Sequence, residues 1–293
     1  MKQQIILFTF LSIISSSYGQ LKCDSFYFRK AIEFQGNNKF DKALELYNKQ
    51  IKVCPDFSEA YINRAVCYFN LDKIDKGKES FNAAILHSKD KPTTLSQIAG
   101  FYFTGKFYDT AFDIYKSILT IDSTYSEAYF KMGRCKWLKR LQELKSSHQD
   151  YDYTTDKVFV SFLKDEILGY YNKAIYFDSV QNFAKYKSRN EMEVFRDMNT
   201  NYEYYYFRAV VKQNFNDFKG ALQDYESSLV IHVTISTYYW AAYTAKKVGE
   251  NEKACEYIQR WAHTMSILRD EQYNPIQKVE IADKFCKELN IKK

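Results

Sequence analysis

Glycine and proline are scarce in this chain of 293 residues, which contains nine glycines and three prolines. A protein built from many short strands needs turn residues at each of its many chain reversals. Their scarcity therefore favours helices over strands. After the N-terminal segment, the sequence also lacks any apolar run long enough to span a membrane.

Local motifs of catalysis, phosphate binding and metal binding are absent as well. The four histidines are far apart, and no two of them form the i, i+4 pair that could hold a metal on one helix face. The sequence contains no G-x-S-x-G turn, no phosphate-cradling glycine loop and no CxxC pair. These absences predict a protein that is not an enzyme and that binds no metal or cofactor.

The sequence has no concentrated basic region. Its formal net charge of +6 results from 42 Lys and Arg against 36 Asp and Glu, which are spread along the chain. Domains that bind nucleic acid usually gather their positive charge on one face or helix. We therefore expect no nucleic-acid partner.

The N-terminal segment has the composition of an export signal. Lys2 provides a positive start, residues 5–14 form a mostly apolar stretch of ten residues, and the segment Ser17-Tyr18-Gly19 places small residues where a signal peptidase reads them. A membrane-spanning helix needs roughly 20 residues, which disfavours an uncleaved anchor. We expect residues 1–19 to be a signal peptide cleaved near Gly19. The mature protein is then secreted or periplasmic, without stable membrane insertion.

Six cysteines occur in a chain that we expect to be exported and that could therefore form disulfides. They are Cys23, Cys54, Cys67, Cys135, Cys255 and Cys286. The sequence does not choose among the possible pairings. A buried free thiol is the alternative for Cys67 and Cys135, which lie in helical segments. Lys22 precedes Cys23 where a lipoprotein signal has a small residue, so lipidation is disfavoured.

Small and aromatic residues recur along the chain with a spacing of 34 residues. The three sets are Ala31, Ala65 and Ala99; Ala43, Gly77 and Ala111; and Tyr47, Phe81 and Tyr115. Within each period, apolar residues fall at helical spacing on two successive segments. The small residues let two helices approach closely, and the rings fill the space between them. The pattern predicts one helix-turn-helix unit for each period.

These units resemble the tetratricopeptide repeat family, whose units of about 34 residues stack into a right-handed superhelix. The match in the first unit consists of Tyr27, Ala31, Phe34, Phe40, Ala43, Tyr47 and Pro55. The resemblance implies an all-α helix-turn-helix solenoid that binds another protein on its concave face.

The expected solenoid covers residues 20–293. Its units are 24–57, 58–91, 92–125, 126–181, 202–235 and 235–268. The fourth unit contains an insertion at 138–160, because the match to a second helix arrives about 22 residues late. An amphipathic helix at 275–290 is expected to cap the last unit. Its apolar residues are Ile276, Val279, Phe285 and Leu289.

The first helix of each unit has a second face, one position after its core residues. In the second unit Ile62, Val66 and Phe69 lie on this face, about 100° around the helix from the core. By resemblance to the family, this face lines the concave surface. The residues predicted to contact a partner are Phe28, Ile62, Phe69, Phe103, Phe130, Arg134, Trp137, Tyr206, Tyr239 and Tyr243.

The predicted groove is mostly apolar and aromatic. Family members that hold a free C-terminal carboxylate use a set of lysine, asparagine and arginine side chains on this face. Asn63 matches one such position, but Phe28 and Ile32 occupy two others. An apolar peptide or helix of a partner protein is therefore the predicted ligand.

Phe69, Phe103 and Trp137 share one position of the repeat, and we predict that they are the anchors of this groove. A glycan stacked on the same rings is the alternative ligand. Only Asn70 and Thr104 lie beside the first two rings, whereas a sugar site needs carboxamides or carboxylates there, which favours a protein partner. In another alternative, the inserted segment near 138–160, or residues 182–200, folds back and fills the groove permanently.

Overall fold

A computed structural model describes residues 25–147, 156–186, 201–267 and 275–290 of the chain. Within these ranges all regular secondary structure is helical, and no residue lies in a strand. The predicted all-α class of stacked helix-turn-helix repeats is confirmed. The predicted signal peptide at 1–19 lies outside the described residues. None of the described helices is both long enough and apolar enough to cross a membrane.

The chain divides into two compact units, residues 1–98 and 99–293. The first unit contains α1 (Phe26–Gly36), α2 (Phe40–Val53), α3 (Ser58–Asn70) and α4 (Ile74–His87). Within it, each helix packs against the next one along the chain. The boundary between the units falls inside α5 (Lys91–Thr104).

The second unit continues the succession of helices. It contains α6 (Tyr108–Ile121), α7 (Ser126–Ser147), α8 (Lys157–Phe162), α9 (Leu168–Tyr186), α10 (Tyr202–Asn214), α11 (Phe218–Ile231), α12 (Ile235–Val248), α13 (Asn251–Ile267) and α14 (Pro275–Glu288). A π-helical turn at Leu163–Ile167 joins α8 to α9. Helices that follow one another in sequence again pack together, including α10 on α11 and α13 on α14.

The helices follow one another in pairs along the chain. We name the pairs α1–α2, α3–α4, α5–α6, α7–α9, α10–α11 and α12–α13 the first to sixth repeats. The segment 138–160, predicted as an insertion, is partly helical, because α7 continues to Ser147 and α8 begins at Lys157. The loss of the period in the fourth repeat therefore reflects a longer first helix together with the segment that follows it.

The turn inside a repeat uses a left-handed backbone at one fixed position. The φ angle is 56° at Asn38, 56° at Asp72, 64° at Lys106, 65° at Asn216 and 83° at Gly249. In the first three turns, the next backbone N–H donates to the carbonyl five residues earlier, which closes the first helix. Asparagine and glycine adopt this conformation readily, whereas lysine is strained there. The third turn therefore carries backbone strain that the fifth and sixth turns avoid.

The residues that recur with the repeat form the core of each unit. Ala31, Ala43, Ala65 and Ala111 are completely buried. The tyrosines of the second helices are among the largest fully buried side chains, and they include Tyr47, Tyr115, Tyr171 and Tyr225. The period thus marks side chains that hold each helix pair together.

A disulfide between Cys255 and Cys286 fastens the last helix, α14, to α13, with 5.0 Å between the two Cα atoms. Cys54 is also disulfide-bonded. Cys67 and Cys135 are free and buried, as the alternative for these two residues predicted. Burial raises the pKa of both thiols to about 12, so they are protonated at neutral pH.

The helix α14 covers the end of the sixth repeat with a face that differs in part from the predicted one. Phe285 and Leu289 are buried as expected, together with Ala282 and Cys286. Val279 was predicted on the same face but is 47% exposed, so that assignment was wrong. The Cys255–Cys286 disulfide and the packing on α13 set the rotation of the helix. The side chain of Ile276 lies outside the described part of the chain.

Candidate functional site

The predicted partner-contacting residues fall in both units. Three lie in the first unit, namely Phe28, Ile62 and Phe69. Seven lie in the second unit, namely Phe103, Phe130, Arg134, Trp137, Tyr206, Tyr239 and Tyr243.

In the first unit, two of the three residues contact aromatic rings of the same unit, and the third is buried. The ring of Phe28 lies 4.9 Å from that of Phe57, edge to face. Ile62 is only 8% exposed. The ring of Phe69 lies 5.4 Å from that of Phe81 on the second helix of its own repeat. Each of these side chains therefore stabilises the packing of the unit.

In the second unit, Arg134 on α7 lies among several aromatic rings. Its guanidinium carbon lies 3.8 Å from the ring centroid of Phe207, 5.9 Å from that of Phe130 and 6.0 Å from that of Phe103. At the shortest of these distances a guanidinium is attracted to the face of the ring. The ammonium of Lys131 lies 5.6 Å from the Phe130 ring centroid. The rings thus hold the arginine in a defined orientation.

A continuous series of contacts leads from Phe207 to α12. The rings of Phe207 and Tyr206 are 5.1 Å apart, and Tyr206 accepts a hydrogen bond from the indole N–H of Trp240. The ring centroids of Trp240 and Tyr239 are 5.4 Å apart, and those of Tyr239 and Tyr243 are 4.8 Å apart. We name this set the aromatic surface. Its members are Phe103, Arg134, Tyr206, Phe207, Tyr239, Trp240 and Tyr243.

Two rings of the aromatic surface are well exposed. Trp240 is 42% exposed and Tyr243 is 40% exposed. Tyr206 and Tyr239 are half-buried. Exposed aromatic rings that are held by their neighbours can contact a partner with little loss of conformational freedom.

Phe130 and Trp137 support the aromatic surface from within the core. Phe130 is completely buried, and its ring lies 5.7 Å from that of Phe207. Trp137 is 9% exposed, and its ring lies 6.3 Å from that of Phe207 at a right angle. Their burial leaves almost none of either side chain for direct contact with a partner.

Sequence reasoning missed Phe207 and Trp240. Both lie one position after a residue that was selected, Tyr206 and Tyr239 respectively. They share a repeat position with Asn63, which the resemblance places on the ligand-binding face. That shared position was the signal that could have identified them.

A separate cleft of about 500 Å³ lies between α6, α7 and α8. Its aromatic walls are formed by Tyr108, Phe112 and Phe162. Lys139 Nζ lies 2.6 Å from Asp109 Oδ1, and Lys136 Nζ lies 2.5 Å from Glu166 Oε2. Because these charges pair with each other, the cleft offers no excess charge to select a ligand.

Residues that could jointly ligate a metal ion do not come together in the described ranges. No group of three or more His, Cys, Asp or Glu side chains there is placed to hold one. The aromatic surface therefore remains the best candidate site in the described part of the chain.

Parts of the chain are similar in sequence to known proteins. A family model described as the tetratricopeptide repeat matches residues 58–86, in the second repeat. An uncharacterised protein of Methanocaldococcus jannaschii is 30% identical over 61 residues, which make up 21% of this chain and 71% of that protein.

Solved structures are similar to this chain over most of its length. The pilF protein of Pseudomonas aeruginosa has a TM-score of 0.51 at 13% identity, over 84% of this chain and 93% of that one. The C-terminal part of a TPR repeat-containing protein from Cytophaga hutchinsonii has a TM-score of 0.47 at 16% identity, over 89% and 95% of the two chains. At such identities the likeness to the first structure concerns the fold alone.

Proposed function

We propose that this chain, which belongs to the tetratricopeptide repeat family, is an exported scaffold that binds an apolar peptide or helix of a partner protein. Members of this family bind other proteins and are generally not enzymes. The observation that carries the proposal is the exposure of Trp240 and Tyr243 on one helix, α12.

The two exposed rings are held in place before any partner arrives. The indole N–H of Trp240 is fixed by its hydrogen bond to Tyr206. Tyr243 lies 4.8 Å from Tyr239 and 5.3 Å from Phe285 of the capping helix. Side chains that are already ordered lose little entropy on binding, and Trp and Tyr dominate the energetics of many interfaces.

The chemistry of this surface fits an apolar segment. The aromatic faces offer large apolar area, and the polar tips of the tyrosines and the tryptophan are partly used in contacts with one another. A helix or extended segment can place two or three apolar side chains against such rings. Trp240 and Tyr243 then each contribute on the order of 2 kcal/mol to binding.

Substitution of the exposed rings tests this proposal. The probe is a random peptide library displayed on phage and selected on the mature protein, followed by affinity measurements with the recovered peptides. Trp240→Ala and Tyr243→Ala should each weaken binding by about tenfold or more. Tyr176→Ala is the matched control, because this ring on α9 is 61% exposed but lies outside the aromatic surface.

The control should bind as the wild type does, and all three variants should keep their helix content and melting temperature. An equal loss of binding in Tyr176→Ala would contradict the assignment of the site. If the library yields no peptide and the same two substitutions abolish binding to a glycan array, the glycan alternative replaces the proposal.

Export is the second part of the proposal. Its supports are the signal-like segment at 1–19 and the presence of disulfides at Cys54 and between Cys255 and Cys286, since disulfides persist mainly in oxidising compartments. The intact mass of exported protein should correspond to a chain that begins at or near Gln20. Retention of residues 1–19, or a lipid on Cys23, would contradict it.

A further inference from the structure

We infer that Arg134 is the anion-binding point of the aromatic surface, and that the partner segment presents an internal aspartate or glutamate side chain to it. This inference rests on the proposed function, because it assigns a chemistry to the partner that the aromatic surface binds. The partner segment is thus apolar with one acidic residue among its apolar ones.

Arg134 makes no hydrogen bond and no ion pair with any residue in the described ranges. A guanidinium is rich in N–H donors, which all point outward in its plane. Stacking on Phe207 covers one face of that plane and leaves the donors at its edge. The half-buried arginine is therefore oriented by the rings and has donors to offer.

Arg208 in the next repeat shows what a structural arginine looks like in this fold. Its Nε and Nη2 donate to the two carboxylate oxygens of Asp224 at 2.8 and 2.6 Å, and its Nη1 donates to Asn172 Oδ1 at 2.9 Å. The protein thus supplies three acceptors to this arginine. It supplies none to Arg134 within the described residues, which points to an acceptor on a partner.

The charge around Arg134 favours a carboxylate. Lys131 lies one helical turn earlier and likewise forms no ion pair with a described residue. Arg134 is half-buried, and the lower dielectric of such a position strengthens the attraction between a cation and an incoming anion. A carboxylate also matches the planar fork of a guanidinium with two parallel hydrogen bonds.

The position of Arg134 favours a side-chain carboxylate over a chain end. Phe103 lies on one side of it, and Phe207, Tyr206 and Trp240 continue the aromatic surface on the other. A segment that ended at Arg134 would cover only one of these sides. A segment that passes over Arg134 covers both, and its acidic side chain is then internal.

Peptide selection with matched variants tests the inference. Random peptides are displayed as N-terminal fusions, so that none has a free C-terminal carboxylate, and are selected on wild type, Arg134→Met and Arg140→Met. Arg140 is the control because it lies on the same helix and already pairs with Glu143 at 3.4 Å. Wild type and Arg140→Met should both select apolar peptides with an acidic residue at one fixed place.

Arg134→Met should select apolar peptides without that acidic residue. In a synthetic copy of a selected peptide with blocked ends, exchange of glutamate for glutamine should weaken binding to wild type about tenfold or more. The same exchange should change binding to Arg134→Met less than about twofold. If Arg134 only packs against Phe207, wild type and Arg134→Met should show the same preference for the glutamate peptide over the glutamine peptide.

Three outcomes would overturn the inference. If wild type selects apolar peptides without acidic residues, the inference fails and the proposed function stands. If no apolar peptide is selected by any variant, the proposed function fails and the inference fails with it. If a glutamine peptide with a free C-terminal carboxylate binds more tightly than the blocked glutamate peptide, Arg134 recognises a chain end instead.

Discussion

The second repeat, in the first unit, and the fifth repeat, in the second unit, place an arginine at the same position of their first helix. Arg64 Nε donates to Ser80 Oγ at 3.1 Å, and its Nη1 donates to Asn48 Oδ1 at 3.0 Å. Ser80 lies on the second helix of the same repeat, whereas Asn48 lies on that of the preceding repeat. One guanidinium therefore links two neighbouring repeats.

The fifth repeat makes the same bridge with charged partners. Arg208 joins Asp224 of its own repeat to Asn172 of the preceding one, and Lys212 Nζ lies 2.8 Å from Asp224 Oδ2. The side chain of Asp224 is only 5% exposed. The two units thus keep the geometry of the link between repeats and differ in its electrostatics, which should make the fifth repeat far more sensitive to the loss of one partner.

Removal of the buried carboxylate should have the largest effect. Asp224→Ala leaves Arg208 and Lys212 without their carboxylate, and breaking a buried ion pair in this way costs about 3–5 kcal/mol. Ser80→Ala removes a neutral acceptor from Arg64 and should cost about 1 kcal/mol. Urea unfolding followed by circular dichroism measures both losses. Similar losses in the two variants would contradict the contrast between the repeats.

A second buried carboxylate makes the stability of the second unit depend on pH. Burial raises the pKa of Asp178 on α9 from 3.8 to about 6, and a backbone hydrogen bond from Asn201 offsets only part of the rise. Because the pKa is higher in the folded state, protonation stabilises the fold. This stabilisation is complete below pH 3.8 and is lost as the pH rises through about 6.

Asp178→Asn should therefore stabilise the protein at pH 7 by on the order of 2 kcal/mol and flatten its stability between pH 4 and pH 7. Urea midpoints across this pH range, for wild type and variant, measure the difference. The same pH dependence in both proteins would show that Asp178 does not titrate in this way.

The repeats also differ in the hydrogen bond made by the tyrosine of the second helix. In the fifth repeat, Tyr225 Oη donates to Gln213 Oε1 at 2.8 Å, and the first repeat has the same bond. In the fourth repeat, Trp137 occupies the position of this glutamine. Neither Trp137 Nε1 nor Tyr171 Oη has a hydrogen-bond partner in the described part of the chain.

Tyr225→Phe should accordingly cost about 1 kcal/mol, because it leaves the half-buried Gln213 oxygen without its donor. Tyr171→Phe should change stability little or increase it, because it removes a buried hydroxyl that makes no bond. Thermal unfolding compares the two variants directly. A loss in Tyr171→Phe as large as that in Tyr225→Phe would mean that the hydroxyl is bonded after all.

The turns should give the smallest effect. Lys106 has a φ of 64°, which glycine adopts without strain, so Lys106→Gly should stabilise the protein by about 0.5–1 kcal/mol. Asn216→Gly, at a φ of 65°, is the control and should change little, because asparagine tolerates this conformation. Urea midpoints decide the comparison, and destabilisation by Lys106→Gly would contradict the assignment of strain to that turn.

The period of 34 residues was enough to predict the helix pairs, because the small and aromatic residues that recur are those that hold each pair together. It was less informative about the anchors Phe69, Phe103 and Trp137. Phe69 packs on the second helix, where a Cβ on Gly77 would lie 2.8 Å from its ring. Near the turn the two helices converge, so an offset of one position does not carry a side chain out of their interface.

Features that depend on tertiary contacts could not be predicted from the repeat. The length of α7 is set by its packing against the later helix of the fourth repeat, where the period is lost. The pairing of Cys255 with Cys286 follows from the docking of α14 on α13. The burial of Trp137 depends on Phe207 in the next repeat, which spacing within one repeat does not reveal.

Quenching of tryptophan fluorescence by acrylamide tests the aromatic surface most directly. Of the three tryptophans, Trp137 and Trp261 are 9% and 8% exposed, whereas Trp240 is 42% exposed and should account for most of the quenching. A saturating concentration of a selected peptide should reduce quenching to the level of the Trp240→Phe variant. Unchanged quenching while the peptide is bound would place the binding site elsewhere on the protein.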